Sequence, residues 1–172
     1  MSSQTIADGL METRDDGTSV VRFERHLAYP IEKVWAALTD PDQMIRWWGR
    51  GDLELVEGGR FKVEWQNTDD EGNRAVMEGT ITRLEPPRLL ETSGGPHGDL
   101  RWELRPEGDG TVLSFTSTLE LPEEFRTRHV AGWHWHLDAL ATILDGGEVD
   151  LVNVTGWEQI HEGYVARHAG NA

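Results

Sequence analysis

The chain has 172 residues, no cysteine, and 31 acidic against 16 basic side chains, a formal net charge of -15. That length suits one domain with a substantial core. The missing cysteines exclude disulfides, thiolate metal sites and cysteine nucleophiles, and the acidic balance argues against nucleic acid and anionic membranes as partners.

Residues 1–17 are polar and aperiodic and are expected to form a flexible arm. Met1 to Asp16 has neither a basic start nor an apolar block, so it does not read as a signal peptide. No apolar run reaches the roughly 18 to 20 residues of a membrane span. A cytoplasmic location is the expectation.

Ser19 to Ala28 alternates, with Val21, Phe23, Arg25 and Leu27 on one face, and reads as a half-buried strand. Pro30 opens a short helix whose apolar stripe is Ile31, Val34, Trp35 and Leu38. Asp40-Pro41 caps a second short helix carrying Met44, Trp47 and Trp48. Six further strands follow. Leu53 to Glu57 stops at Gly58-Gly59; Phe61, Val63 and Trp65 alternate; Met77, Gly79 and Ile81 lead to Pro86-Pro87. Leu89 to Thr92 is short; Leu100, Trp102 and Leu104 alternate; Glu107-Gly108-Asp109-Gly110 turns into Leu113, Phe115, Ser117 and Leu119. Short turns between strands imply an antiparallel sheet.

Residues 123–145 change to helical period, with Trp133, Leu137, Leu140 and Leu144 on one stripe and His129 and His136 at its edges. Gly146-Gly147 ends this helix. Trp157, Ile160 and Tyr164 suggest one more short amphipathic helix in the tail. The organisation expected is an arm (1–17), one domain (18–146) and an extension (147–172) that packs on the domain or on a partner copy.

The segment FERHLAYPIEKVWAALTDPDQMIRWW, Phe23 to Trp48, resembles the opening of the START-like (SRPBCC) superfamily, in the branch related to the activator of the heat-shock-90 ATPase (AHSA1-like). Gly58-Gly59-Arg60-Phe61, Glu78-Gly79, Leu84-Glu85-Pro86-Pro87, Gly108-Asp109-Gly110-Thr111 and Gly132-Trp133 continue the likeness over roughly residues 20–145. The resemblance implies an α+β helix-grip fold, also called START/Bet v-like. In it a curved seven-stranded antiparallel sheet wraps a long C-terminal helix, with two short helices after the first strand. It also implies a cavity between sheet and helix of the kind that takes lipids, polyketides or aromatic molecules. A shared fold leaves the function open.

By pattern, the residues facing that cavity are Trp48, Phe61, Val63, Trp65, Met77, Ile81, Trp102, Phe115, Trp133, His136, Leu137 and Leu140. Eight tryptophans fit either a large apolar core or an aromatic pocket wall. His129, His134 and His136 cluster on the helix, with His97 elsewhere. No metal-binding spacing is present, so no metal is expected; His136 is the weak candidate for a general base, and His134 is expected to be solvated. Arg25 either neutralises a ligand carboxylate or, as the favoured reading, snorkels to water or pairs with a Glu. No phosphate loop or nucleophile elbow occurs, and no cofactor is implied. The function expected is binding of a small hydrophobic ligand. The alternatives are a cyclase, dehydratase or hydrolase using a pocket histidine, and a co-chaperone-like stimulator of the chaperone ATPase. The long helix or the Trp157 tail is a candidate contact in a homodimer.

Overall fold

The computed structural model describes residues 9–95 and 98–170; His97 lies outside them. Strands are β1 (Leu10–Thr13), β2 (Thr18–Leu27), β3 (Arg50–Leu53), β4 (Arg60–Thr68), β5 (Arg74–Glu85), β6 (Leu89–Ser93), β7 (Asp99–Glu107) and β8 (Gly110–Glu120). Helices are α1 (Ile31–Thr39), α2 (Pro41–Met44), α3 (Glu123–Leu144) and α4 (Trp157–Gly170).

All the strands pair antiparallel in one sheet of order β1-β2-β8-β7-β6-β5-β4-β3. The sheet is a meander from β3 to β8, and β2 returns to pair along the whole of β8, Thr18 opposite Glu120 to Leu27 opposite Thr111. The α1–α2 segment carries the chain from β2 to the far edge. Register shifts fall in the β4–β5 and β5–β6 ladders, where bulges bend a sheet. The helix α3 lies on the face to which the alternating apolar residues point. This is the helix-grip arrangement.

Three expectations change. The sheet has eight strands among the described residues, not seven, because Leu10–Thr13 of the supposed arm pairs with Ser19–Arg22. The strand expected at Leu53–Glu57 sits earlier, at Arg50–Leu53; Leu55 and Val56, which suggested it, are exposed at 39% and 57%. The second short helix is a single turn, and Trp47 and Trp48 follow it rather than lie within it.

Local chemistry explains how those two tryptophans reach the core. The Asp40 carboxylate accepts the Asp42 backbone N–H at 3.0 Å, capping a turn that Pro41 starts. Beyond the turn, Gly49 lets the chain lie against β4: a Cβ there would stand 2.4 Å from the Glu64 carbonyl oxygen. The Trp47 indole N–H donates to the Ala37 carbonyl at 2.8 Å, tying the turn back to α1. Trp48 is thereby delivered under the sheet.

The long helix is buried on two sides. Trp133, Leu137 and Leu140 face the sheet, while the opposite side is covered by α4 and the segment before it. The Trp135 indole donates to the Thr155 carbonyl at 2.9 Å, and Tyr164 and His161 of α4 meet His134 and Thr127 of α3.

Candidate ligand site at the mouth of the grip

The interior between sheet and helix is filled by rings. Trp48 has centroids of Trp47, Phe61, Trp65, Trp102 and Trp133 at 5.3 to 6.2 Å. Phe115 lies 4.3 Å from Trp102 and 4.5 Å from Trp133. These are packing distances for aromatic pairs. Nine of the twelve residues assigned to the cavity by pattern, all but Trp65, Trp133 and His136, are no more than 1% exposed. None of these nine lines any of the open spaces described below.

Open space begins where this packing ends. Trp65, Trp133 and His136 form the floor of a void of about 180 Å3, walled by Asn67, His129, Gly132, Val154 and Trp157, with Arg128 at its rim. It adjoins an outer cleft of about 440 Å3 that shares Asn67, Arg128, Val154 and Trp157. The site therefore lies between the end of β4, the first half of α3 and the segment leading into α4. Pattern found the floor. It missed the rim, because Asn67, Arg128, Val154 and Trp157 belong to no apolar stripe; the available signal was a glycine within a helical period.

Gly132 has no evident structural reason to be glycine. A Cβ added there would meet nothing within 4 Å. Glycine in a helix interior costs about 1 kcal/mol relative to alanine. The result is bare helix backbone facing the void.

Val154 is the second unusual wall residue. Its φ is +50°, in the left-handed region. A β-branched side chain is strained there, by an amount on the order of 1–3 kcal/mol. Val154→Asn, which tolerates this conformation, is expected to stabilise the protein by about 0.5–1 kcal/mol after loss of the valine's apolar contacts. Urea denaturation reads this directly, and a destabilised variant would show that those contacts outweigh the strain.

His136 is held on both ring nitrogens. The Trp65 indole N–H, which can only donate, points at Nε2 from 3.0 Å, so Nε2 carries the lone pair. Nδ1–H then donates to the Trp47 carbonyl at 2.9 Å. His129 pairs with the hydroxyl of Ser117 at 3.1 Å, and Ser117 is fully buried. Among the described residues no group of three or more acidic or histidine side chains is placed to hold a metal.

Two readings of single residues are corrected. Arg25 does not reach water and pairs with no Glu: it is 6% exposed, and its guanidinium donates to Asp138 at 2.8 Å. His134 is 8% exposed rather than solvated, with Nδ1 2.7 Å from the Tyr164 hydroxyl and Nε2 3.4 Å from Asp138. Arg25 is buried because its strand face lies against α3, where Asp138 meets it. The burial of His134 follows from α4, which covers the side of α3 that the sequence pattern left open to solvent. A further void of about 320 Å3 lies there, but Asp138, Glu148 and Asp150 line it and no cation does. That lining disfavours an apolar or anionic guest.

No helix among the described residues is long and apolar enough to cross a membrane. The family model described as activator of Hsp90 ATPase homolog 1-like protein matches residues 28–145. Among solved structures, the chain is similar to CalU16 from Micromonospora echinospora, with 25% identity, 95% of this chain and 98% of that chain covered, and a TM-score of 0.66. It is also similar to the protein encoded by BPP1335 from Bordetella parapertussis, with 30% identity, 96% and 94% covered, and a TM-score of 0.68. EF2215 from Enterococcus faecalis, a conserved protein of unknown function, shares the fold at 19% identity, 94% and 91% covered, and a TM-score of 0.72. No curated protein matches the chain. With more than half its length under the family model and its strand and helix order that of the helix grip, the chain belongs to the AHSA1-like family of the SRPBCC superfamily.

Proposed function

We infer that the protein binds a small, flat, largely apolar molecule at the mouth of the grip, against Trp65, Trp133 and Trp157, without bond chemistry. The observation that carries this reading is Gly132: the helix gives up about 1 kcal/mol of propensity at the one wall position where a side chain would fill the void. Aromatic floors with few polar groups are the usual lining of small-molecule sites. The filled interior limits the guest to the size of the mouth.

An enzymatic role draws less support. A general base needs a lone pair directed at substrate. The His136 lone pair is directed at the Trp65 indole, and the Ser117 hydroxyl is sealed from solvent.

Gly132→Leu separates ligand binding from folding. The variant is expected to fold and to gain about 0.5–1 kcal/mol from helix propensity, raising Tm by roughly 1–4 °C. Tryptophan fluorescence titration with 2-naphthamide is expected to saturate in the parent and to weaken at least about tenfold in the variant, equivalent to about 1.4 kcal/mol. Equal binding by both would reject the mouth as the site.

A further inference from the structure

We propose that the guest at the mouth carries a carboxylate, so that the site takes aromatic carboxylic acids in their ionised form with Arg128 as the anion's partner. This rests on the binding role proposed above and names the class of ligand.

The argument begins with the charge distribution. The chain has nearly twice as many acidic as basic residues, 31 to 16. Yet the inner void has no carboxylate in its lining, and Arg128 is its one residue of fixed charge. Glu158 reaches only the outer cleft, and no acidic side chain among the described residues stands within ion-pair distance of Arg128. Arg25, Arg60, Arg83 and Arg101 are each engaged by a carboxylate and so are not available to a guest. Among the described residues Arg46, Arg50, Arg88 and Arg105 likewise pair with no carboxylate; what sets Arg128 apart is its place on a void with an aromatic floor and no acid in its lining. The planar guanidinium fork matches a carboxylate in two parallel hydrogen bonds.

The two halves of the site fit one molecule. Arg128 precedes Gly132 by four residues, one helical turn, so it stands on the same face of α3, over the rim. A ring laid on the bare backbone at Gly132, with Trp65 and Trp133 beneath it, presents a ring substituent outward toward Arg128. The Asn67 side chain on the facing strand adds a neutral hydrogen-bonding group at the same rim. Burial of the ring supplies affinity, and the guanidinium selects the charge. The protein's overall negative field repels anions at long range, so this selection is a contact effect and survives added salt better than long-range steering would.

The test compares two probes of one shape, 2-naphthoate and 2-naphthamide, by tryptophan fluorescence and calorimetry at pH 7. The parent is expected to bind the carboxylate about tenfold tighter or better. Arg128→Gln is expected to remove that preference, bringing the carboxylate's affinity down to about that of the amide, with the same Tm. If the parent binds both probes equally, or Arg128→Gln keeps the preference, the carboxylate assignment is overturned while the mouth remains a site. If the parent binds neither probe, the binding role fails and this assignment with it.

Discussion

Trp48→Ala is expected to cost about 3–5 kcal/mol of stability, a large share of the 5–15 kcal/mol available to a domain. Trp48 is fully buried and touches five other rings. Truncation leaves a cavity that the turn at Met44–Gly49 is poorly placed to close, because it is fixed by the Trp47–Ala37 hydrogen bond and by the close approach of Gly49 to β4. The indole N–H of Trp48, however, meets no acceptor among the described residues. A buried donor without a partner costs on the order of 1–3 kcal/mol. Trp48→Phe removes that donor along with some volume, so it is expected to cost less than about 1.5 kcal/mol, far below alanine. Urea denaturation of the pair measures both. An alanine cost below about 1 kcal/mol would mean that the rings are loosely packed, and the argument that pushes the ligand out to the mouth would fail with it.

The contrast between these rings and the site explains what the sequence could disclose. Alternation in Phe61-Val63-Trp65 and Leu100-Trp102-Leu104 states which face each residue occupies, and the structure agrees. Alternation is silent on the distance to the opposite layer. Whether Trp102 and Trp133 enclose a cavity or touch depends on their joint volume, and the centroids are 5.9 Å apart. Strands without alternation were misread or missed. Leu10–Thr13 has four residues and pairs on one side only, and Arg50-Gly51-Asp52-Leu53 lacks β-branched or aromatic residues. Arg25 was legible as an inward charge, but its partner Asp138 stands 113 positions away on another element. Gly132 was legible as a break in helical propensity; that it faces open space is a three-dimensional fact.

Asp138→Ala is expected to destabilise the protein by about 3 kcal/mol at pH 7, because it strands a buried cation. The Arg25 side chain is 7% exposed, and two of its nitrogens, Nε and one terminal Nη, have no acceptor; the bond to Asp138 is the one that compensates its charge. The figure lies at the low end for a broken buried pair, since the Asp138 side chain is 36% exposed and water can reach its place. Pairing the change with Arg25→Leu removes the stranded charge and is expected to recover most of the loss. The same carboxylate supports a chain of contacts through His134 to Tyr164, whose hydroxyl accepts the Gly9 N–H at 2.7 Å. Amide hydrogen exchange is therefore expected to rise first in α4 and β1. The pH dependence has a definite sign. Burial raises the Asp138 pKa, but the hydrogen bond from His134 and the charge of Arg25 outweigh it, leaving the pKa below its ordinary 3.8. A carboxylate whose folded pKa is depressed contributes stability above its unfolded value and loses it as pH falls through the folded one. The difference between parent and variant, measured as urea midpoints at pH 7 and at pH 3, should narrow on the acid side. An Asp138→Ala variant as stable as the parent at pH 7, or a gap that does not change with pH, would show that Arg25 is compensated by something other than this carboxylate.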